Sequence, residues 1–316
     1  MHSTGSFLLT VIERVRAYLD ESTIDAKYTN DYLVRHVICP EMVNVMSRLS
    51  MNYSNPIRLR HSITLATDQE HYVLPPNIGE IYRIAILDDN NRVTQEMMPK
   101  NEFHPRGPNW QIQGNELSFR PLPAKAETVD IHYIPNGDFL PHYHKGSAST
   151  DGGELTSYTT FVFDSVPTLG AIDNRENAYA GATLRVWTSA AHDGGLPDKT
   201  VLEERIIESY DASTRTATVR RPFTADINSD GTKPGLEYEV APTGMQSLYQ
   251  AIACACAINL GTVRNVTKKQ MDFFVLQYKM NMKTIGDNLS NLQNRQGKSY
   301  DKRTVDNSGA LFIGEP

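Results

Sequence analysis

The chain has 316 residues, of which 40% are hydrophobic and 22% charged, and a net charge of −6; this balance excludes a disordered polyelectrolyte and predicts a globular protein of about two domains. No run approaches the roughly 18 apolar residues of a membrane span, and Met1 to Gly5 lacks the basic start of a secretory signal, so no membrane partner and maturation in a cytoplasm are expected. The charge is uneven: 262–303 holds nine Lys/Arg against three acids, a net +6, which leaves −12 on the rest and predicts an acidic partner surface for the basic segment.

In chain order, Phe7 to Leu19 reads as a helix with Leu8, Val11, Ile12, Val15 and Leu19 on one face and Ser6 or Thr4 as N-cap. Thr29 to Met51 is helical again. Pro40 lies inside it, which predicts a kink or two shorter helices. From Arg60 to Pro135 the period changes to two. Strands are expected at Ser62–Ala66, Glu70–Leu74, Ile81–Leu87, Arg92–Met98, Trp110–Gln113, Glu116–Arg120 and Thr128–Ile134, joined by turns such as Asp88-Asp89-Asn90-Asn91 and Gly114-Asn115. With no helix between them, these predict an antiparallel sheet of local hairpins, which offers no switch point for a dinucleotide.

Asn136 to Thr156 is rich in Gly, Ser and Thr and marks the approach to a separate unit. Between 146 and 241 the acids outnumber the basic residues fifteen to eight. Five short strands are expected there, at Thr159–Phe163, Ala182–Thr188, Glu204–Ser209, Thr216–Arg220 and Leu236–Val240, which suggests an inserted sandwich or barrel. From Pro242 the chain turns helical. Met271, Val275, Tyr278, Met282, Ile285, Leu289 and Leu292 step alternately by four and three, a seam of coiled-coil type on which either the fold closes or a second copy docks. Gln293 to Pro316 has no period. Its Arg295, Lys298, Lys302 and Arg303 and the apolar triplet Leu311-Phe312-Ile313 read as an arm that orders on a partner.

The fold class expected is therefore α+β: N-terminal helices and a C-terminal helix pair flanking an antiparallel sheet, with a small all-β insertion. The divisions fall at 1–145 for the helices and sheet, 146–241 for the insertion, 242–292 for the helix pair and 293–316 for the arm.

Chemistry is sparse. His142-Tyr-His144, with Asp138 four residues before it, lacks a third metal ligand at fixed spacing, and Asp88-Asp89-Asn90-Asn91 lacks the alternate spacing and closing Glu of a calcium loop. Phosphate-loop, dinucleotide, nucleophile-elbow and zincin motifs are absent. Glu203 and Glu204 are strand neighbours and point to opposite faces, so they cannot flank one glycosidic bond. Cys39, Cys254 and Cys256 form no disulfide framework and read as buried thiols. Trp110, Trp187, Tyr133, Tyr143 and Phe119 fall on strand faces without interleaved basic residues, which favours core packing over base stacking. No enzymatic activity, cofactor or metal is expected.

A family resemblance adds to this reading. The two N-terminal helices are followed by Ile63-Thr-Leu-Ala66, Tyr72-x-Leu-Pro75 and Ile81-x-x-Ile84-x-Ile86-Leu-Asp88. Then come Gly107-x-x-Trp110-x-x-x-Gly114-Asn115-x-Leu117-x-Phe119-x-Pro121, Thr128-Val-x-Ile131-His-Tyr133 and the closing helix pair. Together they resemble the head-to-tail adaptor (connector) proteins of tailed bacteriophages. The insertion resembles a β module of phage virion proteins, through Asn177-Ala-Tyr-x-Gly181, Arg205-Ile-Ile-x-x-Tyr210-Asp-Ala-x-Thr214-Arg-Thr-Ala-Thr-Val219 and Tyr238-Glu-Val-Ala-Pro242.

The resemblance implies a structural protein of the virion, assembled in the host bacterial cytoplasm into an oligomeric ring, commonly twelve-fold, at the head-to-tail interface. Its implied partners are the portal protein, a downstream tail component such as a nozzle or tail hub, further copies of itself, and genomic DNA passing without sequence specificity. An acidic channel wall would let DNA slide, because a cationic one would hold its phosphates. The implied portal or subunit interface comprises Met271, Val275, Tyr278, Met282, Ile285, Leu289, Arg295, Lys298, Lys302, Arg303, Leu311, Phe312 and Ile313. Many adaptors are shorter and nearly all helical. The large β content therefore leaves a tail hub or capsid-surface protein as the alternative, with a glycan-binding or glycan-hydrolysing phage protein behind it.

Overall fold

The structure, a computed structural model, describes residues 6–21, 27–52, 57–88, 90, 92–99, 109–145, 153–189, 200–224, 233–243, 246–264 and 266–299. Its class is α+β with an all-β unit. Helix α1 (Phe7–Tyr18) buries Phe7, Leu8, Val11, Ile12 and Val15, and the Ser6 hydroxyl caps it by accepting from the Leu9 N–H at 3.3 Å. Around Pro40 the expected division into shorter helical pieces is present, with a π turn between them. α2 (Asn30–Leu33) runs through a π turn (Val34–Ile38) directly into α3 (Cys39–Asn52). Proline has no N–H and its ring crowds the carbonyl four residues back. The wider turn, closed by the Cys39 N–H on the Val34 carbonyl, makes the room and lets the helical run continue.

Seven strands form the first sheet: β1 (Leu59–Leu65), β2 (His71–Val73), β3 (Ile78–Leu87), β4 (Val93–Pro99), β5 (Asn109–Gln113), β6 (Glu116–Arg120) and β7 (Glu127–Pro135). Their order is β1-β7-β3-β4-β5-β6-β2. β3–β4 and β5–β6 are the local hairpins expected, the second turning on Gly114 at φ +66°. The rest is not local. β7, whose Val129, Ile131 and Tyr133 are fully buried, returns between β1 and β3, while β2 pairs with β6 and not with β1. The β4–β5 pairing is parallel, a correction to the all-antiparallel expectation. The sheet has a core of its own, including Leu65, Ile84, Met97, Trp110, Leu117 and Phe119.

The second sheet contains β8 (His142–His144), β9 (Gly153–Ser157), β10 (Thr160–Val162), β11 (Leu169–Gly170), β12 (Thr183–Ser189), β13 (Thr200–Asp211), β14 (Thr216–Val219) and β15 (Lys233–Ala241). Running β15-β12-β13-β14-β10-β9 and back to β15, six of them close a barrel. The five strands read from the sequence are all present, and β9 is the sixth. β15 allows closure because one of its edges is shared: β9 pairs near Lys233 to Leu236 and β8 pairs along Tyr238 to Val240. β8 thus joins the barrel's sheet from before residue 146, so the division expected there cuts through a hydrogen-bonded sheet. Aromatic rings fill the barrel, as small barrels require. Phe163 stacks on Tyr238 at 5.4 Å and on Tyr210 at 5.6 Å, with Tyr179 4.7 Å from Tyr210. Gly153 is needed because a Cβ there would stand 2.2 Å from the Phe161 ring.

α4 (Gln246–Arg264) and α5 (Lys268–Ser299) complete the chain. Every residue from Ala251 to Ala257 is buried, so the middle of α4 is apolar all round and serves as the hub on which α1, α3 and α5 pack. Its Ala and Cys side chains keep those helices close. The main hydrophobic core joins the helices to the barrel rather than to the first sheet, running from Phe7 and Met42 through Tyr238 and Val240 to Ile252 and Ile285.

Sheet and barrel meet at Ala180-Gly181. The Ala180 carbonyl accepts from Asn77 Nδ2 at 3.0 Å and Tyr133 Oη at 3.3 Å, and the Gly181 carbonyl accepts from Thr243 Oγ1 at 2.6 Å. Gly181 has φ +80°, and a Cβ on it would lie 2.3 Å from Tyr133 Oη and 2.7 Å from Leu59 Cδ1. Gly181→Ala is therefore expected to lose about 2–3 kcal/mol, from left-handed strain plus displacement of a fully buried tyrosine. Urea unfolding of the two proteins measures it. An unchanged midpoint would show that the junction is not held here.

Candidate functional site

Two buried carboxylates pin α1 at its ends. Glu239, fully buried on β15, accepts from the Phe7 N–H at 2.7 Å, the Leu8 N–H at 2.9 Å and the Ser6 hydroxyl. With the Leu9 N–H on Ser6, the first-turn donors that have no partner inside a helix are all satisfied. Burial pushes the Glu239 carboxyl above its ordinary range, while Ser6, these two amides and Arg185 pull it back. Arg185 stands 3.6 Å from Glu239 and 2.7 Å from Glu204, its guanidinium over the Tyr249 ring at 5.1 Å, and Tyr249 packs on Phe7 at 4.7 Å. Barrel, α1 and α4 are thereby locked at one point. At the other end Glu21 accepts from Arg16 at 3.1 Å and from Arg264 at 2.5 Å, tying α1 to the end of α4.

Beside these contacts α5 carries the candidate interaction surface. One face closes the fold: Phe274, Met282 and Ile285 are buried. Tyr278 receives a hydrogen bond from Arg48 of α3 at 3.4 Å, Met271 packs at Gly261, and Val275 is half-buried. The seam expected to meet the portal or a second copy through Met271, Val275, Tyr278, Met282 and Ile285 therefore faces the chain's own helices. A four–three repeat marks a helix-filling stripe without saying which helix fills it, and the small residues of α4 supply the nearest groove. The side chains of Leu289, Leu292, Arg295 and Lys298, and the whole of Lys302, Arg303, Leu311, Phe312 and Ile313, lie outside the described residues.

The opposite face was missed. Phe273, Leu276 and Met280 are 49%, 55% and 55% exposed, flanked by exposed Lys269, Lys279 and Lys283 and by Asp272 and Asp287. The signal was in the sequence, since 273, 276 and 280 share a helix face. Contiguous apolar residues with a charged rim mark an interaction surface more often than they mark a solvated helix.

The remaining candidates are packed or paired within the fold. His142 is fully buried among Phe163 at 5.0 Å, Tyr179 at 5.2 Å and Tyr238 at 5.6 Å, and burial lowers its pKa to about 3. His144 stacks on Tyr238 at 5.7 Å, and Asp138 pairs with Arg175 at 3.0 Å and not with either histidine. Among the described residues no three His, Cys, Asp or Glu gather as a metal site. Glu203 is buried against Arg205 and Thr224 while Glu204 reaches Arg185. Trp110 donates to the Met97 carbonyl at 3.1 Å inside the sheet's core, and Trp187 packs on Tyr143 at 6.3 Å. Burial raises the Cys254 and Cys256 thiols, and pushes Cys39 up to about 12. A groove of about 400 Å³ opens on the first sheet between Leu65, Ile86, Met97, Phe119, Pro121 and Leu122; the charged residues along it, Lys125 and Glu127, pair with each other at 3.3 Å. Its apolar lining can take an apolar side chain. No helix among the described residues is long and apolar enough to cross a membrane.

No protein-family model matches the chain, and no curated protein is significantly similar to it.

Proposed function

We propose that this chain is a structural component of a bacteriophage virion, a head-to-tail connector whose copies ring the DNA channel between portal and tail, and that it works by contact and not by catalysis. The observation that carries the reading is α5: one face closes the chain's core and the other, at Phe273, Leu276 and Met280, is apolar and uncovered. Leaving three large apolar side chains half-exposed on one helix face forgoes several kcal/mol of burial that a partner recovers. The rigid coupling of sheet, barrel and helices through Gly181 and Glu239 suits a spacer that must transmit position between two larger assemblies. The charge division suits it as well, since a basic helix end on an acidic body makes neighbouring copies attract.

The test is a mass measurement on the purified chain, alone and with the portal encoded by the same genome. The reading expects a complex with one chain per portal subunit. A chain that ignores the portal and keeps a fixed small assembly while turning over a glycan would replace it with the enzymatic alternative.

A further inference from the structure

The uncovered face of α5 is self-complementary. Its residues run Lys269, Phe273, Leu276, Met280, Lys283 and Asp287, stepping by four and three throughout, a second coiled-coil seam opposite the buried one. Lys269 and Asp287 are each nine residues from position 278, at opposite ends of the same stripe. Two such stripes laid antiparallel about that midpoint bring Leu276 against Met280 of the second copy, Phe273 against the aliphatic stem of its Lys283, and Lys269 against its Asp287, each contact occurring twice. Laid parallel, they would set Lys269 on Lys269, Lys283 on Lys283 and Asp287 on Asp287. The charge pattern therefore selects one partner and one direction.

We propose that the free protein pairs with a second copy of itself through an antiparallel contact of the two α5 helices, centred between Leu276 and Met280. Such a contact is isologous: it closes on two copies and cannot be repeated around a ring. It therefore belongs to the chain before assembly, where it covers the apolar stripe, and it stands on the helix face alone, whatever the protein's place in a particle. Lys279 comes near its own mate across the two-fold axis. That repulsion is between exposed, screened ammonium groups and costs less than the two Lys269–Asp287 attractions return.

Sedimentation of the full chain over a concentration series tests this. The expected result is a monomer–dimer equilibrium stopping at two copies, with Met280→Glu monomeric at every concentration and its melting curve unchanged. Lys269→Asp and Asp287→Lys should each weaken pairing about tenfold, and the double variant should restore it, because the swapped charges meet again. A mixture of Leu276→Cys and Met280→Cys proteins, each carrying Cys39→Ser because Cys39 is only partly buried, should form an interchain disulfide on oxidation, since the remaining Cys254 and Cys256 are buried. A chain monomeric throughout, as it would be if another segment of the same molecule covered the stripe, overturns the proposal. So does a dimer that Met280→Glu leaves intact, or a double charge swap that fails to rescue.

Discussion

Replacing Glu239 by alanine is expected to destabilise the protein by about 3–5 kcal/mol, the usual cost of removing one partner from a buried charged network. The substitution leaves the Phe7 and Leu8 N–H groups and the Ser6 hydroxyl without their acceptor, and leaves Arg185 with Glu204 as its remaining carboxylate. The loss falls on α1, whose N-terminus is held to the barrel by this carboxylate. Hydrogen exchange should therefore show α1 opening before the barrel does. Glu239→Gln keeps the shape and one acceptor oxygen but turns an NH2 toward the helix donors, so an intermediate loss is expected. A Glu239→Ala protein within about 1 kcal/mol of wild type in urea unfolding would mean that the helix end finds other acceptors.

Acid should weaken the fold through His142. Burial lowers its folded-state pKa to about 3 from 6.5, with His144 lowering it further and the Leu140 carbonyl and Asp173 acting the other way. The unfolded chain therefore takes up the proton first. As pH falls from about 6.5 to 3 the unfolded state binds more protons than the folded one, and stability is lost across that window and restored above it. The integrated loss is on the order of 5 kcal/mol. Carboxylates add their own pH dependence, so the informative quantity is the difference between wild type and His142→Phe, a ring that suits a pocket already lined by Phe163, Tyr179 and Tyr238. The variant should match or exceed wild type at pH 7, because the buried Nε2 of His142 has no hydrogen-bond partner, and should gain steadily on it toward pH 4. Parallel curves for the two proteins would show that the histidine is not the acid-sensitive group.

The local elements were legible wherever a single periodicity ran unbroken. α1 follows from its apolar spacing and Ser6, the β5–β6 hairpin from Gly114-Asn115, and the turn after β13 from Asp211, whose carboxylate accepts from the Ser213 and Thr214 N–H groups. What the sequence hid was long-range pairing. The placement of β7 between β1 and β3, and of β8 beside β15, depends on which buried faces meet in space, and neither strand differs locally from a hairpin partner. Pro40 marked an interruption of the helical run but not its form, because a π turn is not encoded by any one residue. The interaction surface shows the same limit. Both stripes of α5 have coiled-coil spacing, and the richer one, with Met282 and Ile285, was taken by the chain's own core. The shorter stripe at Phe273, Leu276 and Met280 is harder to see, because three apolar residues among lysines resemble an ordinary solvated face.

The place of the protein in an assembled particle decides the account more directly than any variant. On the proposed reading, cryo-electron microscopy of tailed-phage particles assembled with this chain should find its sheet, barrel and helix bundle as a ring at the single vertex where head joins tail, with the free face of α5 covered. Particles that carry no copy of the chain, or carry it away from that vertex with Phe273, Leu276 and Met280 still open to solvent, would contradict it.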